Sequence, residues 1–439
     1  MQRNEPILLV CLTIAVFIGA LLPRPGAAQT SPEPAADIGA LSLPEARKRA
    51  LEQNPELKAL EAQVRAAEGT LKQAGAFPNP ELAFEIEDFG GDLEGLRESQ
   101  TTLSLAQTVE TGGKRAARIR STRLEKDVAA IECLRKKLDL VADVDRRFAE
   151  LLGARERLRI AEENRATAQQ VAAAVAALVE AGEVSPIEKT RAESDEALAL
   201  IDVEAARRDM HIAKRALAAL WGKPEPDFGE PQGALAEDAA LPDEAQALAR
   251  LERLPDLARW KAEIARLEVS RTLARRSRFP DLTFSAGWRR YEVTGAHAYV
   301  AGIGLPIPLF NRNTGAVIEA SARLDQGRLG QEAEEVSLQS SFHTAHEALS
   351  KAVEEARILR EQVLPKAGEV YNALKEGYQR GKFRLLDLLE ARRGLANAKL
   401  RYVETLVRVN LAKADLERLL GMPIEDFIRE CNHENDSKK

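Results

Sequence analysis

Pro80-Glu81-Leu82-Ala83-Phe84 returns 200 residues later as Pro280-Asp281-Leu282-Thr283-Phe284. In both copies a proline and an acid precede apolar residues at every second position. Working outward, the same offset relates Asn54-Pro55-Glu56-Leu57 to Leu254-Pro255-Asp256-Leu257, and Leu103 and Leu105 to Ile303 and Leu305. Thr111-Gly112-Gly113 matches Asn311-Arg312-Asn313 in position, though not in residue type. Farther on, the offset is 199: Gly182 pairs with Gly381, Glu188 with Asp387, and Leu220-Trp221-Gly222 with Leu419-Leu420-Gly421. The two halves, 29–222 and 244–422, share one plan whose period is far longer than that of an ordinary solenoid. Residues 223–243, rich in Pro, Gly and acids, join them and are expected, with the polar tail 423–439, to wrap the middle of the molecule.

Each half reads in the same order. A helix of about 22 residues starts at Pro55 or Pro255, since proline suits the first helical turn. Two short strands follow, then a very long helix to a glycine, then a second helix that returns. No proline lies between Pro80 and Pro186, and from Gly113 to Ala181 only Gly153 interrupts helix-favouring residues. That stretch spans about 100 Å at 1.5 Å per residue. Ile131, Leu134, Leu138, Val141 and Phe148 form an expected packing seam on it. The counterpart, Gly315 to Arg380, should be kinked by Pro365. The returning helices, Pro186–Leu220 and Arg384–Leu420, are half as long. Each is expected to stack end to end with the short helix of its own half.

Composition narrows the classes. The 439 residues carry 63 Lys+Arg against 69 Asp+Glu, a net charge of −6, and only 5% are aromatic. Few aromatics with many charges fit long helices better than several rounded cores. The acidic balance argues against nucleic acid as the main partner. Three cysteines do not make a disulfide scaffold, and their spacing does not fit a Cys-based zinc site. Cys133 and Cys431 would remain after export, with nothing to indicate that they pair. There is no glycine-rich phosphate loop and no nucleophile elbow, so an enzyme is not indicated and no cofactor is expected.

Ile7 to Leu22 is an apolar run of 16 residues, after Arg3 and before the small residues Gly26-Ala27-Ala28. It is shorter than the roughly 20 residues a membrane helix needs. The order is that of a signal peptide cleaved after Ala28. Its removal takes away Arg3, Glu5 and Arg24 and leaves a net charge of −7.

Four segments alternate with period two. Leu82, Phe84 and Ile86 share one side of the first, and Leu103 and Leu105 one side of the second. Leu282, Phe284 and Trp288 share one side of the third. In the fourth, Tyr299, Ala301, Ile303, Leu305 and Ile307 alternate with Val300, Gly302, Gly304 and Pro306. This is the pattern of a membrane β-barrel and equally of a soluble half-buried sheet. An exported chain that spans a membrane again without an apolar helix must do so with strands. Four strands do not close a barrel, but three chains supply twelve, and closure removes the edges.

Over nearly its whole mature length the chain resembles the TolC-type outer-membrane efflux proteins. The resemblance rests on Ala50-Leu51-Glu52-Gln53-Asn54-Pro55-Glu56-Leu57, on the Pro-x-Leu strand starts at Pro80 and Pro280, and on the glycine turns at Gly182 and Gly381. The stretches Pro78 to Gly91 and Gln107 to Arg115 are similar to the CzcC-like branch, which serves heavy-metal efflux with cobalt, zinc and cadmium as typical substrates. The resemblance implies a mainly α fold with a small β part. It implies a homotrimer, with a 12-stranded barrel in outer-membrane lipid continued by a long α-helical barrel in the periplasm. It implies a passive duct that docks with a periplasmic adaptor and an inner-membrane RND pump. The alternatives are a duct of the same fold for organic compounds or proteins, and a soluble periplasmic coiled-coil scaffold.

The resemblance also assigns residues. Gly182, Glu183, Val184 and Ser185, with Gly381, Lys382, Phe383 and Arg384, correspond to the periplasmic tip and adaptor contact. Glu188, Tyr378, Asp387 and Glu390 correspond to the pore gate. A family arginine two residues after the second glycine is replaced by Phe383, which puts an ion-pair lock there in doubt. Leu82, Phe84, Ile86, Leu103, Leu105, Leu282, Phe284, Trp288, Tyr299, Ile303 and Leu305 would face lipid. His343 and His346 are one helical turn apart, within reach of one metal, but a third ligand is not evident and they are read as surface residues. His297 and the Cys431-Asn432-His433 run are weaker candidates, and no metal site is expected.

Overall fold

Two short helices open the first half, α1 (Leu43–Gln53) and α2 (Pro55–Ala74). Asn54 separates them and caps the second. Its side-chain oxygen accepts a hydrogen bond from the Leu57 amide at 2.7 Å, and Pro55 at the first position lacks only an N–H that would be orphaned anyway. Strands β1 (Glu81–Glu87) and β2 (Gln100–Val109) follow. The next helix, α3 (Lys114–Glu180), is unbroken for 67 residues, about 100 Å. Its partner α4 (Pro186–Ala218) runs back along it. The second half repeats this order with α5 (Glu244–Leu251), α6 (Pro255–Arg276), β3 (Leu282–Tyr291) and β4 (His297–Gly304). It ends with α7 (Thr314–Ile358), α8 (Leu364–Gln379) and α9 (Leu385–Leu420).

The computed structural model describes residues 39–91, 95–427 and 429, and the chain from Ala40 onward forms one compact unit. The signal-peptide reading at 1–28 and Cys431 and His433 lie outside the described residues. Cys133 is buried and unbridged.

Pro365 interrupts the second long helix as its chemistry requires. It has no N–H, and its ring collides with the carbonyl four residues back. The helix responds with one π-helical turn at Leu359–Val363, directly before α8. The four strands form one antiparallel sheet in the order β1-β2-β3-β4. β4 ends at Gly304 rather than continuing to Ile307, because Pro306 cannot donate to a ladder.

The halves dock alike. The turn glycine after α4, Gly222 at φ 77°, sits so close to Pro55 that an added Cβ would lie 2.9 Å from its ring. Gly421, at φ 71° after α9, faces Leu254 in the same way. Each returning helix thus abuts the start of the short helix of its own half.

The main core surrounds these junctions. It gathers Leu41, Leu57, Trp221, Phe228, Leu254, Phe342, Leu416 and Phe427 from both halves and the connecting segment. Leu41 forms a parallel bridge with Pro231. Asn410 of α9 accepts from the Ala236 amide at 3.2 Å and donates to its carbonyl at 3.1 Å. At the same level Arg418 of α9 reaches Asp256 of α6 at 2.8 and 2.9 Å and Asp139 of α3 at 2.7 Å. Burial pulls this guanidinium down, but the two carboxylates outweigh burial and hold it above its usual value.

The seam read along α3 is only partly the buried one. Leu134 is half exposed, while Cys133, Leu140, Val144 and Leu151 are buried against the chain's own helices. Gly153, the lone interior breaker, marks a close crossing: a Cβ there would lie 2.3 Å from Val407 of α9. Gly153→Ala should therefore destabilise by about 1–3 kcal/mol through overpacking, although alanine is the better helix former. Adding Val407→Ala should recover most of the loss. Urea unfolding checks this, and equal stabilities of the single and double variants would remove the crossing as the reason for the glycine.

Candidate functional site

Residues paired across an antiparallel ladder share a face, so the register divides the sheet cleanly. Leu82 lies opposite Leu105, and Phe84 opposite Leu103, which in turn faces Trp288 and then Tyr299. Phe284 lies opposite Ile303, and Val109 opposite Leu282. Ten of the eleven residues read as lipid-facing lie on this one face, and Leu305 follows directly after the end of β4. The face is open: Leu82 is 72% and Tyr299 92% exposed. The other face carries Glu81, Glu85, Glu87, Thr102, Ser104, Thr283, Ser285 and Arg289. Arg289 donates there to Thr102 at 2.9 Å and to Glu87 at 3.0 Å. The outer edges of β1 and β4 have no partner strand among the described residues.

At the far end of the long helices, both glycine turns close by the same pair of bonds. The Gly182 amide donates to Val179 and the Glu183 amide to Leu178, at 3.0 and 2.9 Å. The Gly381 amide donates to Tyr378 and the Lys382 amide to Gly377, at 2.9 and 2.8 Å. This double closure needs a left-handed residue, and both glycines supply it at φ 77° and 70°. A small second core brings the turns together. It packs Val171 and Val175 of α3, Ala192 of α4, Tyr371 of α8, and Leu385, Leu388 and Leu389 of α9. Glu183, Ser185, Lys382 and Arg384 are exposed and Val184 is half-buried. Phe383 folds back on its own turn, where a Cβ at Gly377 would lie 2.2 Å from its ring.

The four residues corresponding to a gate lie beside these turns. Glu188 and Asp387 each stand in the first turn of a helix, where negative charge is favoured. Tyr378 packs against the second core, and its buried hydroxyl has no hydrogen-bond partner. Burial, reinforced by nearby Glu188, pushes that phenol up. The Arg384 side chain and backbone amide hold the Asp387 carboxyl below the usual carboxylate range. This cap is present above the ordinary carboxylate value and is lost only as pH falls through the lowered one. Glu390 is exposed on the same helix.

Sequence spacing does not reveal the polar cluster just above. Arg392 of α9, 4% exposed, pairs with Asp195 of α4. It also donates to the Asn164 backbone carbonyl and side-chain oxygen of α3, at 2.8 and 2.7 Å. Arg393 reaches the same Asp195 at 2.7 Å. Burial lowers the Arg392 pKa against the attraction of Asp195. The two arginines stand 197 or more positions from Asp195 and Asn164, and no periodicity links them.

The histidines have ordinary surroundings. His343 pairs with Glu244 at 2.8 Å, and both His343 and His346 lie against Phe342. His297 stacks on Trp288. Among the described residues no cluster of three His, Cys, Asp or Glu side chains could hold a metal ion, and no helix is long and apolar enough to cross a membrane.

The family model described as "Outer membrane efflux protein" matches residues 46–223 and 248–422, one segment in each half. The chain belongs to the outer membrane efflux protein family. Among its relatives, the cobalt-zinc-cadmium resistance protein CzcC of Cupriavidus metallidurans is 32% identical over 87% of this chain and 90% of that protein. The nickel and cobalt resistance protein CnrC of the same organism is 33% identical over 65% of this chain and 70% of its own length. The fold is that of the TolC-like channels. The outer-membrane channel OprN superposes with a TM-score of 0.75 at 20% identity, over 87% of this chain and 90% of OprN.

Arg392→Met should loosen the turn end of this efflux-family fold by about 3 kcal/mol, because it leaves Asp195 and Asn164 short of a buried donor. Hydrogen exchange should quicken in α8 and the first turns of α9, and Arg392→Met with Asp195→Leu should restore part of the protection. Unchanged exchange in the single variant would show that the cluster does not hold the helices together.

Proposed function

We propose that this protein is the passive outer-membrane duct of a tripartite efflux system and that it exports divalent heavy-metal cations. The two-faced sheet carries the reading. Apolar residues cover one face and polar residues the other, both edges are open, and helices of about 100 Å continue from one end. Three copies would join β4 of one chain to β1 of the next, giving twelve strands with the apolar face toward lipid. No backbone edge would then be left unpaired in the membrane. The helices would continue the barrel across the periplasm as a tunnel. The cargo assignment is supported by the match to a cobalt-zinc-cadmium resistance protein along 90% of its length.

In this reading the leader at 1–28 is cleaved on export. Halves 29–222 and 244–422 form the wall, and 223–243 forms its belt; most of the tail read with it, 430–439, lies outside the described residues. The turns at Gly182 and Gly381 meet a periplasmic adaptor, and an inner-membrane RND pump supplies the energy. Glu188 and Asp387 from three chains place six carboxylates around the narrow end, with Tyr378 and Glu390 beside them. Such a ring concentrates cations while mutual repulsion works against tight closure.

Deleting the gene should lower growth on zinc, cobalt or cadmium several-fold, and the intact gene should restore it. Unchanged metal tolerance together with new sensitivity to organic toxicants would move the cargo to that class. Recovery of the protein in the soluble periplasmic fraction would remove the channel altogether. For the gate, Glu188→Gln with Asp387→Asn should shift the reversal potential of single channels in planar bilayers toward zero under a salt gradient. An unchanged cation preference would take these two acids out of the pore.

A further inference from the structure

All four connections between sheet and helices meet at one level. Gly112 lies under Phe279, with a would-be Cβ 3.1 Å from its side chain. Arg276 donates to the Gly113 carbonyl at 3.0 Å, and Asn313 donates to the Ala274 carbonyl at 2.7 Å. Arg115 lies 4.0 Å over the Phe77 ring and also donates to the Gly75 carbonyl at 2.9 Å. Phe77 and Phe279 stay well exposed here, and Phe310 is fully exposed. In the chain they stand between the helices and the strands.

The charge at this level is lopsided. Segments 72–79, 110–120, 271–281 and 305–313 hold ten Lys or Arg and two acids. The two acids are already engaged, Glu110 with Arg118 and Asp281 with Lys114. Arg278 and Arg312 are exposed, and neither has a carboxylate partner within salt-bridge reach among the described residues. The opposite end of the sheet has the reverse sign. In sequence, loops 88–99 and 292–296 hold five acids and one arginine. An apolar band edged by exposed aromatics, with a net positive rim on one side and a net negative one on the other, is built for a membrane leaflet that presents anionic phosphates at the positive rim.

We propose that this collar, with Arg278 and Arg312 at its exposed rim and Phe77, Phe279 and Phe310 above them, binds anionic phospholipid headgroups of the leaflet facing the helices. The proposal rests on the reading that the sheet spans the outer membrane. The phosphate accepts hydrogen bonds from the guanidinium groups while the acyl chains lie against the rings and the face formed by Leu82, Phe84 and Ile303. The collar thereby fixes how deep the barrel sits and which way up it stands.

The full-length protein, purified as its oligomer, can be reconstituted into vesicles of phosphatidylcholine alone or with one quarter phosphatidylglycerol. Lipid retained after mild detergent extraction is then identified by mass spectrometry. Phosphatidylglycerol should be retained in excess of its share. Arg278→Gln with Arg312→Gln should cut that excess roughly 25-fold, since each cation near an anionic surface contributes about a fivefold preference. In the unaltered protein the excess should also fall in 0.5 M NaCl, which screens exposed charges. An excess absent from the unaltered protein, or unchanged by salt, would overturn the collar, as would retention of added lipopolysaccharide in preference to phosphatidylglycerol. Failure to insert into either vesicle would instead overturn the barrel reading on which the collar rests.

Discussion

A helix of about 100 Å cannot hide its apolar residues inside one globule, and this constraint shapes the rest of the molecule. α3 and the α7–α8 pair find cover only along the stripes where their own chain runs beside them. Ile201 and Ile212 of α4, and Leu329 and Val336 of α7, remain largely exposed. The sheet has the same problem in a sharper form, because its open edges add unpaired amides to an uncovered apolar face. A single copy is therefore an incomplete object both in its helical part and in its strands. In the proposed assembly, closing three copies around one axis would address both deficits together.

Duplication gives the wall two similar staves, and small differences between them carry structural weight. Asn54 caps α2 and also donates to the Leu220 carbonyl at 2.7 Å, so it fastens the end of the returning helix to the start of the short one. Leu254 at the equivalent place has no such hydrogen-bonding group. There Arg418 on Asp256 does the fastening by charge, about one helical turn away. Pro365 has no counterpart in α3, so only the second long helix carries a π-turn. The staves are alike in outline and held by different chemistry.

Much of this was legible from residue order. Proline-free stretches marked the long helices, strict alternation marked the strands, and glycines marked the turns, because each is a local property of the chain. The ladder then placed Leu82, Phe84, Trp288 and Ile303 on one face, as the alternation requires. What could not be read depends on contacts between distant segments. Arg392 on Asp195 is one case. Gly330 is another, where a Cβ would lie 2.4 Å from Trp260, and nothing near Gly330 announces that indole. The packing seam of α3 was misplaced for the same reason, since a helix touched on several sides has no single apolar stripe. At the turn end the two glycine turns were legible, but the buried polar cluster behind them was not.

The two cores differ in kind. The larger core joins both halves, the connecting segment and the residues after α9, and is reinforced by Arg418 between two carboxylates. The smaller one, behind the glycine turns, has few large side chains and leaves polar atoms unsatisfied: the hydroxyls of Tyr371 and Tyr378 and Nε of Arg392 are buried without partners. Each such group costs about 1–3 kcal/mol relative to a paired one. Opening free energies within one protein range from near zero up to the global value, and segments with few apolar contacts lie at the low end. The waist accordingly has the larger and better satisfied core of the two. A rearrangement of α8 and α9 at the turn end would disturb only the small core and the Arg392–Asp195 pair, whereas the same movement at the waist would break the main core.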